Sequence, residues 1–111
     1  MSNLKEKLLS LRASVPSEMV EVPGVGQVEV RGLTAAGRDE WEQRMISMST
    51  RKNMRAAMIS LCLFEDGKRM FGWEDLDALG DLPAAVVYRL WDVATRLSGL
   101  AMSDREELEK N

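Results

Sequence analysis

Clustered acidic side chains are the first candidates for chemistry in this sequence. Two short stretches carry three acids each: Glu74, Asp75 and Asp77, and then Glu106, Glu107 and Glu109. Acid–base catalysis by paired carboxyls needs an apolar pocket that raises the pKa of one member. The local sequence offers neither cluster such a pocket, and the spacing around Asp75 or Asp66 does not match a calcium-binding loop. We therefore expect solvated acids and no metal site.

The other catalytic signals are weak. The chain has no histidine and a single cysteine, so the commonest general base and an internal disulfide are both missing. Cys62 lies in an apolar run, where a thiol behaves as a small buried hydrophobe and its pKa rises. Gly24-Val25-Gly26 lacks the third glycine of a dinucleotide-binding loop and opens no helix. We predict a protein that is not an enzyme and that binds no cofactor.

Methionine is the unusual residue type, with eight among 111 residues. Unbranched, polarizable side chains adapt to many shapes and are common on protein-binding surfaces. One interpretation is that these methionines fill the core at helical spacing. The other is that two adjacent helices present a groove for an amphipathic helix of another protein. The predicted partner-binding residues are Met45, Ile46, Met48, Met54 and Met58.

The N-terminal third contains two patterns. Residues 1–14 form an amphipathic helix or arm, because Leu4, Leu8 and Leu11 share one helical stripe and Asn3 with Glu6 resembles a capping box. This helix either docks on the core, which we expect, or engages another chain. Residues 18–31 alternate valine with polar residues around Pro23-Gly24-Val25-Gly26, a pattern typical of a β-hairpin.

Residues 34–100 carry helical patterns. Thr34 is a good N-cap for a helix to about Ser49, and a second helix is expected from about Asn53 to near Leu63. Leu61 to Phe64 also fits a strand that pairs with Arg69 to Phe71, and periodicity does not separate the two. A short helix ends at Gly80, and a longer one capped by Asp81 forms the centre of the core. Residues 101–111 are a charged tail, where Ser103 and Glu106 suggest a final capping box.

These patterns predict one α+β domain that is mainly α: a small helical domain with an N-terminal β-hairpin. Fifteen basic and 18 acidic side chains leave no positive excess, so we expect no nucleic acid and no membrane as partner. Residues 34–71 carry seven basic and five acidic side chains, whereas residues 72–111 carry four and nine. The acidic end is either a solvated face or a docking surface for a basic partner. A domain this small gains stability from partners, which favours a weak homo-oligomer.

The order of features resembles the tail assembly chaperones of long, flexible-tailed bacteriophages. The resemblance covers roughly residues 18 to 100 and depends on the valine hairpin, on R-G-L-T-A-A at Arg31–Ala36, on D-G-K-R-x-F at Asp66–Phe71, and on R-L-x-x-x-x-x-R-L-S-G-L at Arg89–Leu100. The resemblance implies a non-catalytic protein of the host cell cytoplasm that binds the tape measure protein, keeps it dissolved, and is absent from the mature virion.

The same resemblance implies a second, longer form made by a programmed minus-one ribosomal frameshift, because such chaperones often occur in two lengths. Lys110-Asn111 is compatible with a slippery codon sequence. A longer form would contact tail tube subunits, and this chain would then supply tape measure binding only. The alternative function is a structural tail-completion or connector protein that remains in the virion.

Overall fold

The computed structural model describes residues 3–48 and 52–99. The helices are α1 (Leu4–Ser10), α2 (Ala35–Ser47), α3 (Met54–Ser60), α4 (Leu76–Gly80) and α5 (Ala84–Leu97), with single 3₁₀ turns at Leu11–Ser14 and Trp73–Asp75. The strands are β1 (Ser17–Val22), β2 (Gly26–Arg31), β3 (Leu63–Glu65) and β4 (Lys68–Arg69). Within these two ranges no helix is long and apolar enough to cross a membrane.

The predicted N-terminal hairpin is confirmed. Strands β1 and β2 pair antiparallel, with Val20 opposite Val28 and Glu18 opposite Val30. Val20, Val22, Val28 and Val30 are all buried. Because side chains alternate between the two faces of a strand, this set defines the inner face, and Met19 and Glu21 point outward.

The predicted fold class is wrong in one respect: the sheet is not limited to an N-terminal hairpin. It has four antiparallel strands in the order β1-β2-β3-β4, and the second pair comes from the middle of the chain. Val30 pairs with Leu63, and Phe64 pairs with Arg69. The expected helix to Leu63 ends at Ser60, since pairing with β2 draws Leu63 into the sheet. The strand that the apolar run also permitted is the one that forms.

Capping explains where some helices begin. The Thr34 side chain accepts a hydrogen bond of 3.0 Å from the Gly37 N–H, so the predicted N-cap of α2 is confirmed. Asn3 makes no side-chain capping bond, which removes the first predicted capping box. The N-cap of α5 is Pro83 and not Asp81, because the turn at residues 81–82 places the first helical residue at Ala84. The Ser103–Glu106 box lies outside the described residues.

The core lies between the inner face of the sheet and two helices. Helix α5 packs against β1, β2 and α3. All six residues from Ala56 to Leu61 are buried, so α3 is the most enclosed helix. Val87, Leu90, Trp91 and Ala94 form the buried stripe of α5. Burying side chains of this kind stabilises the fold by roughly 1.5–3 kcal/mol each.

Candidate partner-binding surface

Two of the five predicted partner-binding residues are in the core. Met54 is 6% exposed and Met58 is fully enclosed. Both lie on α3, which is surrounded by α2, α4 and α5. Side chains in this position fill the interior and present nothing to a partner, so the prediction of a docking groove that includes Met54 and Met58 is corrected.

The other three residues lie at or just after the end of α2 and differ in how much of their surface is exposed. Met45 is half-buried and packs against the core, and Met48 is half-buried just beyond the helix. Ile46 is 79% exposed. Adjacent residues on a helix point about 100° apart, so Ile46 faces solvent while Met45 faces the core. Of the predicted set, Ile46 alone presents most of its surface.

The largest group of exposed apolar side chains among the described residues is on the N-terminal arm, which we define as residues 3–14. Its leucines are exposed over roughly half to two thirds of their surface: Leu4 68%, Leu8 67%, Leu9 45% and Leu11 59%. No residue of α1 or of the following 3₁₀ turn is buried. The helix that we expected to dock on the core therefore keeps its apolar stripe in solvent.

The arm joins the body at a defined point. The Gly32 N–H donates a hydrogen bond of 2.9 Å to the carbonyl oxygen of Pro16, which ties the start of β1 to the end of β2. Val15 is half-buried, whereas residues 3–14 are exposed. Proline at position 16 restricts Val15 to extended backbone, and Val15 has φ −62° and ψ 123°. Extended backbone at Val15 therefore connects the arm directly to strand β1.

A groove of about 260 Å³ lies where the arm meets the body. We name it the arginine groove; its main lining residues are Arg12, Val15, Arg31, Leu33, Phe64 and Arg69. The residues come from the arm, the end of β2, the loop before α2, and strands β3 and β4. Apolar side chains and three arginines thus line the same groove.

Two of these arginines already have acidic neighbours. Arg31 donates to Glu29 at 2.8 Å, and its guanidinium carbon lies 4.2 Å from the centre of the Phe64 ring. Arg69 pairs with Glu40 of α2 at 3.2 Å. Arg12 donates its Nε–H to the Leu9 carbonyl oxygen at 2.9 Å and forms no ion pair with a described residue. Glu40 is shared between Arg69 and Arg44, whose ion pair with it measures 3.1 Å, so the three arginines of the groove are only partly neutralised.

The residues considered for catalysis are not assembled into a site in the described part of the chain. Cys62 is fully buried, and desolvation raises the pKa of its thiol from 9.0 to about 12 against a smaller opposing effect of Arg69. Asp75 accepts a hydrogen bond from the Gly72 N–H at 2.9 Å, and Asp77 accepts one from the Asn53 side chain at 3.2 Å. No group of three metal-ligating side chains occurs among the described residues.

Local sequence patterns did not indicate the arginine groove. Arg12, Arg31 and Arg69 are separated by 19 and 38 positions, and no periodicity relates them. Arg31 and the β3–β4 residues meet because β3 pairs with β2. The periodicity of the sequence did not show whether the β3 segment is a strand or a helix. Comparisons with protein-family models, with curated proteins and with solved structures gave no match to this chain.

Proposed function

We propose that this protein is a non-catalytic assembly chaperone for the tape measure protein of a long-tailed bacteriophage, and that the N-terminal arm binds it. The observation that carries the proposal is the solvent-exposed leucine stripe of α1. The resemblance of residues 18 to 100 to tail assembly chaperones supplies the class of partner. Such a partner is long, helical and apolar along its seams.

The chemistry of the arm suits a helical partner. Leu4, Leu8 and Leu11 lie one or two turns apart, so they present a single ridge to the groove between turns of another helix. Lys5 and Lys7 flank this ridge and Glu6 lies on the opposite face of the helix; all three are exposed. Charged residues at the rim of an apolar contact keep water-facing positions and set its orientation. Ile46 adds an exposed apolar side chain on α2, outside the arm.

The contact should be weak at each site. Four leucines contribute at most roughly 6–12 kcal/mol when fully buried, and association costs at least about 4 kcal/mol. The difference corresponds to a dissociation constant in the micromolar range or weaker. Many copies along one long partner compensate through multivalency. Weak contacts also allow tube subunits to displace the chaperone before the tail is complete.

Co-expression tests the proposal. The tape measure protein from the same phage genome is produced with the wild-type chain, with Leu8→Glu plus Leu11→Glu, and with Lys5→Glu plus Lys7→Glu. We expect the tape measure protein in the supernatant with the wild type and with the lysine variant, and in the pellet with the leucine variant. Equal recovery with both variants would contradict binding through the leucine stripe.

Analysis of purified virions distinguishes the alternative function. A chaperone acts in the host cytoplasm and is depleted from finished particles, whereas a tail-completion or connector protein is retained in a fixed number of copies. Mass spectrometry of virions measures this directly. Retention at a level comparable to known tail components would favour the structural role.

A further inference from the structure

The two edges of the sheet differ in how well they are protected. Edge strand β4 has only two residues, Lys68 and Arg69. Short length and positive charge are common devices that keep the edge of a sheet from pairing with another chain. Edge strand β1 has six residues, pairs with β2 without a bulge, and contains no lysine, arginine or proline. The devices that close the β4 edge are therefore missing from the β1 edge.

The register shows which backbone groups of β1 are open. The Gly32 N–H donates to the Pro16 carbonyl oxygen at 2.9 Å, and hydrogen-bonded pairs alternate along an antiparallel ladder. The even-numbered residues of β1 therefore bond β2, whereas Ser17, Met19 and Glu21 direct their N–H and C=O groups away from the sheet. No residue in the ranges 3–48 and 52–99 bonds these outward groups. Each copy thus offers three donors and three acceptors along one edge.

The acidic side chains of β1 are held by their own chain. Arg96 donates to the Glu18 carboxylate at 2.8 Å, and the Gln27 side chain donates to the Glu21 carboxylate at 2.7 Å. Charged side chains on an edge strand oppose pairing with another strand. Because Glu18 carries the positive charge of Arg96 beside it, this opposition is reduced on the β1 edge.

We propose that the β1 edge pairs with the β1 edge of a second copy, antiparallel and related by a two-fold axis at Met19. In this register Met19 faces Met19 of the second copy and Ser17 faces Glu21. The three donors and three acceptors of each copy then form six hydrogen bonds between the strands. Glu18 faces Val20, so no two carboxylates are directly opposed. The two four-stranded sheets become one sheet of eight strands.

The sequence around β1 favours a second copy as the occupant. Pro16 precedes the strand and has no N–H, and Pro23 follows it in the turn to β2. The open groups are therefore confined to three residues with Met19 at the centre, which is the arrangement that a two-fold axis requires. Met19 is 57% exposed, and the second Met19 covers part of that surface. This inference does not depend on the tape measure protein.

The proposed contact is closed and small. A two-fold contact uses the same edge of both copies, so only the short β4 edges remain and the sheet does not extend into a fibre. Three residues of each strand supply the hydrogen bonds, which is far less than a standard interface of about 1,600 Å². We therefore expect a weak dimer that forms as the protein concentration rises.

Residue-resolved amide hydrogen exchange on the full chain tests the pairing. In a monomer the Val20 amide is protected by β2 and the Met19 amide is open to water. In the dimer both amides are protected. We expect exchange at Met19 to slow severalfold as sedimentation shows the monomer converting to dimer, while exchange at Val20 stays slow throughout. Fast exchange at Met19 in the dimer, or slow exchange at Met19 in the monomer, would overturn the proposal.

A pair of lysine variants locates the contact. Met19→Lys places two positive charges opposite each other across the axis, and like charges directly opposite destabilise strand pairing. Ile46→Lys adds the same charge in place of another exposed apolar side chain, on α2 and away from β1. We expect sedimentation to show a monomer for Met19→Lys and the wild-type dimer fraction for Ile46→Lys. Equal dimer fractions for the two variants would show that the copies associate elsewhere.

Opposite charges test the symmetry of the contact. Met19→Glu should also be monomeric, because two carboxylates then face each other. A mixture of Met19→Lys and Met19→Glu places a lysine opposite a glutamate, which stabilises the pair. We expect dimers in the mixture at a concentration where each variant alone is monomeric. A mixture that stays monomeric would exclude Met19 from the two-fold axis.

Discussion

The backbone N–H of Leu33 donates a hydrogen bond of 2.8 Å to the hydroxyl oxygen of Ser98, 65 residues later in the chain. The same hydroxyl donates to the Ala94 carbonyl oxygen at 2.6 Å. Ser98 thus joins the segment that follows β2 to the end of α5.

Replacing Ser98 should therefore destabilise the protein. Ser98→Ala leaves the partly buried Leu33 N–H without its acceptor, which costs about 1–3 kcal/mol of unfolding free energy. Urea unfolding of both proteins measures the difference. Ser47→Ala is the control, because the Ser47 hydroxyl is exposed and bonds only its own helix. Equal midpoints for Ser98→Ala and Ser47→Ala would contradict this assignment.

A second prediction concerns Gly32, which lies against the same helix end. An added Cβ would collide with backbone atoms of Leu97, which cannot rotate away. Gly32→Ala should reduce the free energy of unfolding by at least about 1–3 kcal/mol, the usual range for overpacking. At Gly37 the nearest atoms to a new Cβ are Leu33 Cδ2 and Thr34 Oγ1, both at 3.3 Å, which is a much milder approach than the backbone collision at Gly32. Gly37→Ala should therefore cost less than Gly32→Ala in the same denaturation experiment.

The predicted partner-binding set contains both buried and exposed residues, and their effects on stability should differ. Met58→Ala removes a fully enclosed side chain and should cost about 2–5 kcal/mol. Ile46→Ala removes an apolar side chain of similar size that is 79% exposed, and should change stability by less than about 0.5 kcal/mol. Thermal and urea unfolding report both values. A large loss for Ile46→Ala would mean that this residue is covered in solution.

Because the Cys62 thiol is buried, we expect the protein to lose stability at high pH. The pKa of Cys62 is about 12 in the folded protein and 9.0 ordinarily. Above pH 9 the unfolded chain releases the thiol proton while the folded chain keeps it, so the contribution is complete below pH 9 and declines as the pH rises toward 12. Urea unfolding of the wild type and of Cys62→Ala from pH 7 to pH 11 isolates this effect as a difference in slope. Parallel curves would show that the thiol is accessible to water.

Local sequence patterns were sufficient to predict the helices and strands whose contacts are close in sequence. The alternating valines around Gly24 predicted β1 and β2, and Thr34 predicted the start of α2. They were insufficient for β3, because four successive apolar residues from Leu61 to Phe64 satisfy a buried helix and a buried strand equally. Pairing with Val30, more than 30 positions earlier, decides between the two.

The binding surface was harder to predict for the same reason. The period of Leu4, Leu8 and Leu11 predicts an apolar stripe, but no local feature states whether the body covers it. Met54 and Ile46 are both apolar residues in helical segments, and only the packing of α3 among three other helices separates the enclosed residue from the exposed one. Exposure depends on tertiary contacts that a single sequence does not reveal.

The central claim is that the leucines of the N-terminal arm touch the tape measure protein. A photo-crosslinking amino acid placed at Leu8 tests it directly, with the same amino acid at Val25 as control, because Val25 is 73% exposed at the hairpin tip. After co-expression and irradiation, the account predicts a crosslinked product with the tape measure protein from position 8 and little or none from position 25. No product from position 8, or equal yields from both positions, would contradict it.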